Sequence, residues 1–139
     1  MTIYYRHTNS NNPMSDWGHA MFTENQETSE GYGRIEFTLD SAKTVSVYSL
    51  ENTIRNVWEY SQENDDFGSM ADEYYKKLSA DEVFESFCPE NIIVSAAGYD
   101  CDLVIWLWEK VCEPNGIMAI RTQDGAVCFD DTLIEKVTA

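Results

Sequence analysis

The stretch Arg34-Ile35-Glu36-Phe37-Thr38-Leu39 alternates polar and apolar residues without a break. In an extended chain this puts Ile35, Phe37 and Leu39 on one side and the polar residues on the other, the pattern of a half-buried strand. Working outward, Val45-Ser46-Val47-Tyr48-Ser49-Leu50 repeats the alternation. Upstream, residues 3–8 form a short strand-like run rich in aromatic residues, and the Asn, Ser and Pro of residues 9–15 supply a turn. A short apolar piece at 17–23 and a polar loop at 24–33 complete the first fifty residues, which read as strand territory throughout.

The middle of the chain changes character. Residues 59–90 hold ten acidic residues and two lysines, a charge of −8 against −16 for the whole protein. Two helix starts are legible there, Ser69-Met70-Ala71-Asp72 and Ser79-Ala80-Asp81-Glu82, each with a hydroxyl placed to cap and a carboxylate three residues later. Residues 50–61 suit a further helix. Tyr74, Tyr75 and Leu78, then Val83, Phe84 and Phe87, give the two capped helices an apolar stripe, and Pro89 ends the second. Asp100 can cap a stronger helix whose apolar face is Leu103, Val104, Leu107, Trp108 and Val111, with Glu113-Pro114-Asn115-Gly116 as its stop. Strands at 117–122 and 126–129 flank Gln123-Asp124-Gly125, and residues 132–137 close the chain as strand or helix. The order of strands, helices, then strands predicts one α+β domain over residues 1–139, with an acidic helical segment at about 51–90.

Composition narrows the function. With 25 acidic against 9 basic residues the surface repels phosphates, which disfavours direct nucleic-acid binding and adhesion to anionic membranes. A basic partner surface, or a small ligand in a locally positive cleft, stays open. No stretch has the roughly 18 to 20 apolar residues that span a bilayer, and residues 1–6 lack the order of a signal peptide, so the chain reads as cytosolic. The four cysteines form no Cys-x-x-Cys pair and the two histidines, His7 and His19, have no ligand-like spacing, so buried thiols and no metal are expected.

Taken singly, the polar residues at strand ends are ordinary. His7 suits a satisfied polar group, Phe22 a core ring, Asp124-Gly125 a hairpin turn, and Arg6 and Arg34 surface cations. Their order is more specific. The run Tyr4-Tyr5-Arg6-His7-Thr8, then Gly18-His19-Ala20-Met21-Phe22-Thr23, then the strand at 34–39, then the acid-bearing stretch at 116–130, resembles the ADP-ribosyltransferase family. The likeness is closest to the small ADP-ribosyltransferase domains of phage polyvalent proteins, through Ile93-Val94-Ser95-Ala96-Ala97-Gly98-Tyr99-Asp100, Leu103-Val104-Ile105-Trp106-Leu107-Trp108-Glu109 and the ending at 120–130. A phage anti-CRISPR enzyme that inactivates the type I-F complex by ADP-ribosylation has a similar layout.

The resemblance implies split antiparallel sheets with short helices inserted in the middle, and NAD as substrate. It implies that His7 hydrogen-bonds a ribose hydroxyl, that the Thr8 backbone holds the nicotinamide carboxamide, and that Phe22 stacks on the ring with Thr23 in support. Asp124 would be the catalytic carboxylate, stabilising the oxocarbenium-like transition state, with Gln123 beside it selecting the acceptor. Arg6 or Arg34 would meet the pyrophosphate. Thr8 stands where many members have Gly, Phe22 where Tyr is usual, and Asp124 where the usual acid is Glu. The function implied is that of a phage-borne mono-ADP-ribosyltransferase acting in the cytoplasm of the bacterial host on a defence protein with a basic surface, such as a CRISPR effector subunit. Asp72, Glu73, Asp81 and Glu85 would dock that partner. The alternative is a non-enzymatic acidic inhibitor that imitates nucleic acid in a basic groove.

Overall fold

A computed structural model describes residues 2–15, 18–87, 101–122 and 125–137. Its strands are β1 (Ile3–Thr8), β2 (Ala20–Thr23), β3 (Ile35–Asp40), β4 (Val45–Ser46), β5 (Ala119–Arg121), β6 (Gly125–Cys128) and β7 (Glu135–Lys136). They hydrogen-bond in the order β4-β5-β6-β2-β1-β3-β7, antiparallel except for the β4–β5 pair. The α+β class holds. The expected division into split sheets does not, because the described strands form one curled sheet of seven.

The alternating stretch became β3, paired along its whole length with β1 from Ile3↔Asp40 to Thr8↔Ile35. The second alternation, at 45–50, did not extend as a strand. After Ser46 the chain turns into a 3₁₀ helix, Val47–Leu50, because the Ser46 hydroxyl accepts a hydrogen bond from the Tyr48 N–H and diverts the backbone. Nor is the polar loop at 24–33 irregular. Asn25 caps a one-turn helix, α1 (Gln26–Glu30), through the Thr28 N–H.

The helices that follow pack on one face of the sheet. In α2 (Glu51–Asn64), Ile54, Trp58 and Ser61 recur at helical spacing and are buried. Short helices α3 (Glu73–Lys76) and α4 (Ala80–Ser86) come next, then α5 (Cys101–Leu107), which continues as a π-helical turn, Trp108–Cys112. The Ser79 capping box forms as read. The Ser69 cap does not. Asp72 itself caps α3, while the Ser69 N–H and hydroxyl both donate to the Glu109 carboxylate, 40 residues on in the chain. Pro89, Asp100 and residues 92–94 lie outside the described residues.

Two cores result. On the helical side Trp58 and Trp106 meet edge to face with ring centroids 5.0 Å apart. Their indole N–H groups are satisfied by the Leu78 carbonyl and the Ser61 hydroxyl. On the other side the curl of the sheet encloses Tyr4, Phe22, Phe37, Leu39 and Cys128. Burial pushes the Cys112 thiol up to about 12 and the Cys128 thiol to about 11, so both stay protonated and apolar.

Candidate functional site

Successive residues of a strand point to opposite faces, and directly opposed residues on paired strands share a face. This places the candidate residues. Tyr5 opposes Thr23, and His7 opposes Glu36, so Tyr5, His7, Thr23 and Glu36 share one face. Arg6 opposes Phe37 and lies with Phe22 on the other.

His7 is 8% exposed, roofed by α1. Its Nδ1 lies 2.7 Å from the Ser29 hydroxyl and its Nε2 3.2 Å from Glu36 Oε1, which also accepts from Gln26 Nε2 at 2.7 Å. A carboxylate can only accept, so the Nε2 proton is donated to Glu36, and the Ser29 hydroxyl completes the hydrogen bonding of the ring at Nδ1. Both ring nitrogens are thus engaged, and a ribose hydroxyl would have to take the place of Ser29 or Glu36. The sequence reading missed Ser29, Glu36 and Gln26. The Asn25 cap was a usable signal for the helix that delivers Ser29, whereas nothing in the sequence sets the β1–β3 register that delivers Glu36.

Phe22 is 2% exposed and packs among Tyr4 and Phe37, on the face opposite His7. Its ring is core and does not share a face with His7. The aromatic ring that does is the half-buried Tyr5, next to Thr23. Arg6 is spent on backbone carbonyls, donating from Nε to Pro13 at 2.6 Å and from Nη1 to Met21 at 3.3 Å, and burial holds its guanidinium below its ordinary value. Arg34 is exposed, its N–H bonded to the Asn9 side chain. The Thr8 hydroxyl closes a turn with Ser10, and Thr23 accepts from the Asn25 N–H. Gln123 and Asp124 lie outside the described residues. The residue after them, Gly125, pairs with Thr23, so β6, β2 and β1 set Gly125, Thr23 and Tyr5 side by side.

The four docking acids are exposed, and all are engaged within the protein. Asp72 caps α3, Glu73 pairs with Lys76 at 3.0 Å, and Asp81 pairs with Arg55, which also bonds Glu51. Glu85 is exposed on α4. Among the described residues no group of three His, Cys, Asp or Glu side chains is placed to hold a metal ion, and no helix is long and apolar enough to cross a membrane.

No protein-family model matches the chain, and no curated protein matches it. A solved structure does. The fold is similar to that of an anti-CRISPR protein known from a crystal structure, with a TM-score of 0.62. The match covers 98% of this chain and 95% of the other at 13% identity, so it is a likeness of the whole fold.

Proposed function

We propose that the protein is a phage-borne inhibitor of a CRISPR-type defence system that acts on an effector subunit by transferring ADP-ribose to it from NAD. The observation that carries the reading is the likeness, over nearly the full length of both chains, to an anti-CRISPR protein. The enzymatic half draws its support from the order of the sequence motifs and from the β6-β2-β1 ladder, which sets the chain neighbour of Asp124 beside Thr23 and Tyr5. In this reading the bond between nicotinamide and C1′ of ribose breaks, nicotinamide leaves with the electron pair, and a nitrogen or oxygen of the partner bonds to C1′ and gives up its proton. Asp124 stabilises the cationic transition state. Tyr5, not Phe22, supplies the ring on the reacting face, and the ribose exchanges for Ser29 at His7.

Incubation of the protein with an effector complex and NAD, followed by mass spectrometry of every subunit, tests this. One added ADP-ribose, lost in Asp124→Ala, is the expected result. An unmodified complex that Asp124→Ala inhibits as well as the natural protein overturns it.

A second reading is favoured by the exposure of Asp72, Asp81 and Glu85 along the helical segment: occlusion of a basic nucleic-acid groove without chemistry. It predicts stoichiometric inhibition that needs no NAD and weakens steeply with salt. Reversing the charges of Asp72, Glu73, Asp81 and Glu85 would then abolish inhibition. In the enzymatic reading the same variant slows target modification and spares slow NAD hydrolysis.

A further inference from the structure

Two adjoining hollows of about 450 and 240 Å³ share Gly18, Trp108, Glu113 and Phe129. They form a groove at the Ala20–Cys128 end of the β2–β6 ladder, opposite Thr23 and Gly125. Its floor is aromatic. Trp108 and Phe129 are stacked, with centroids 4.8 Å apart and planes 23° from parallel, and His19 meets Phe129 edge-on at 6.4 Å. Burial lowers the His19 pKa to about 4, so this ring adds no positive charge at neutral pH.

The rim is acidic. Glu109, Glu113, Asp130 and Asp131 line the groove, and no lysine or arginine does among the described residues. Two of these acids have structural duties: Glu109 holds Ser69, and Asp130 caps the 3₁₀ turn Asp131–Leu133. Hydrogen bonds from Thr132 keep Asp130 below the ordinary carboxylate value, so it is charged. Glu113 and Asp131 are exposed and form no ion pair among the described residues.

We propose that this groove is a docking site for an arginine side chain carried on a basic surface of a partner protein. A planar guanidinium stacks on an aromatic face and bonds carboxylates through its forked N–H groups, and the groove offers both at one place. An ammonium lacks the plane, and a phosphate or carboxylate ligand is repelled. The site goes beyond the transfer chemistry and needs no NAD.

The test is titration of the full-length protein with a capped tetra-arginine peptide, followed through the Trp108 indole N–H resonance, with tetra-lysine and tetra-glutamate as comparisons. The arginine peptide should shift that resonance and bind more tightly than the lysine peptide, and the glutamate peptide should not bind. Affinity should fall about tenfold or more in Trp108→Leu and in the surface double variant Glu113→Lys with Asp131→Lys. It should change less than about twofold when Asp72 and Glu85 are replaced by lysine. The double variant carries the test if Trp108→Leu disturbs folding. Equal binding of tetra-lysine, unchanged affinity in the double variant, or an equal loss on reversing Asp72 and Glu85 overturns the assignment. Since no NAD is present, the outcome is separate from the fate of the transferase reading.

Discussion

Two glycines two residues apart should respond to the same substitution with opposite signs. Gly33 faces the backbone of Thr8. A methyl group on its Cα would fall 2.2 Å from the Thr8 carbonyl carbon, 2.5 Å from its oxygen and 2.6 Å from its Cα. Carbon atoms in contact sit at roughly 3.5–4.0 Å, so the chain would have to move by about 1 Å or more at the end of the strand that carries His7. Overpacking of this kind costs about 1–3 kcal/mol. For a domain of this size each kcal/mol is worth about 2–4 °C in Tm, so Gly33→Ala should melt roughly 2–12 °C lower. Gly31, by contrast, ends α1 at φ −65°, and a methyl there would lie 3.5 Å from the Thr28 carbonyl oxygen, an ordinary contact. Gly31→Ala should stabilise by about 0.4–1 kcal/mol, through lost freedom of the unfolded chain. Thermal melts followed by circular dichroism measure both. Shifts of the same sign, or a Gly33→Ala variant as stable as the natural protein, would refute the close approach of Gly33 to β1.

Ser29→Ala strips the hydroxyl from His7 Nδ1 and should cost about 1–3 kcal/mol in urea unfolding, the penalty for a buried polar atom left without its partner. His19 sets a pH dependence. Its folded pKa of about 4 lies below the ordinary 6.5, so the unfolded chain binds the proton first; the stability is complete above 6.5 and is lost as pH falls from there toward 4. That amounts to roughly 2 kcal/mol between pH 7 and 5, and His19→Gln should flatten the urea midpoint over this interval. Trp58→Ala should cost about 3–5 kcal/mol, because it empties the contact with Trp106 and leaves the Leu78 carbonyl to Gln62 alone; a loss below about 1 kcal/mol in chemical denaturation would contradict the packing described.

Much of the local structure was legible in the residues. Polar and apolar alternation marked β3, the Ser79 box marked α4, and the stripe of Leu103, Val104, Leu107, Trp108 and Val111 marked a helical face that is buried except at the half-buried Trp108. These signals are local, since a period of two or of 3.6 and a cap three residues away are complete within one short segment. The same local logic misled at 45–50, where a serine hydroxyl competing for the backbone outweighed the alternation. It also misled at Ser69, whose partner Glu109 lies 40 residues on.

The sequence by itself therefore determined the class, the acidic surface and most of the segments that bury apolar faces; the stripe read at Tyr74, Tyr75 and Leu78 is the exception, since α3 buries no residue and Tyr74 is exposed. The tertiary structure alone decided which face each strand shows and which strands adjoin. That choice put Phe22 in the core and Arg6 on backbone carbonyls, tied His7 to Ser29 and Glu36, and brought Trp108, Phe129 and four carboxylates around one groove. The physical reason is register. A shift of one residue reverses the face of every side chain in a strand, and register is fixed by the packing of the whole sheet and not by any residue within it.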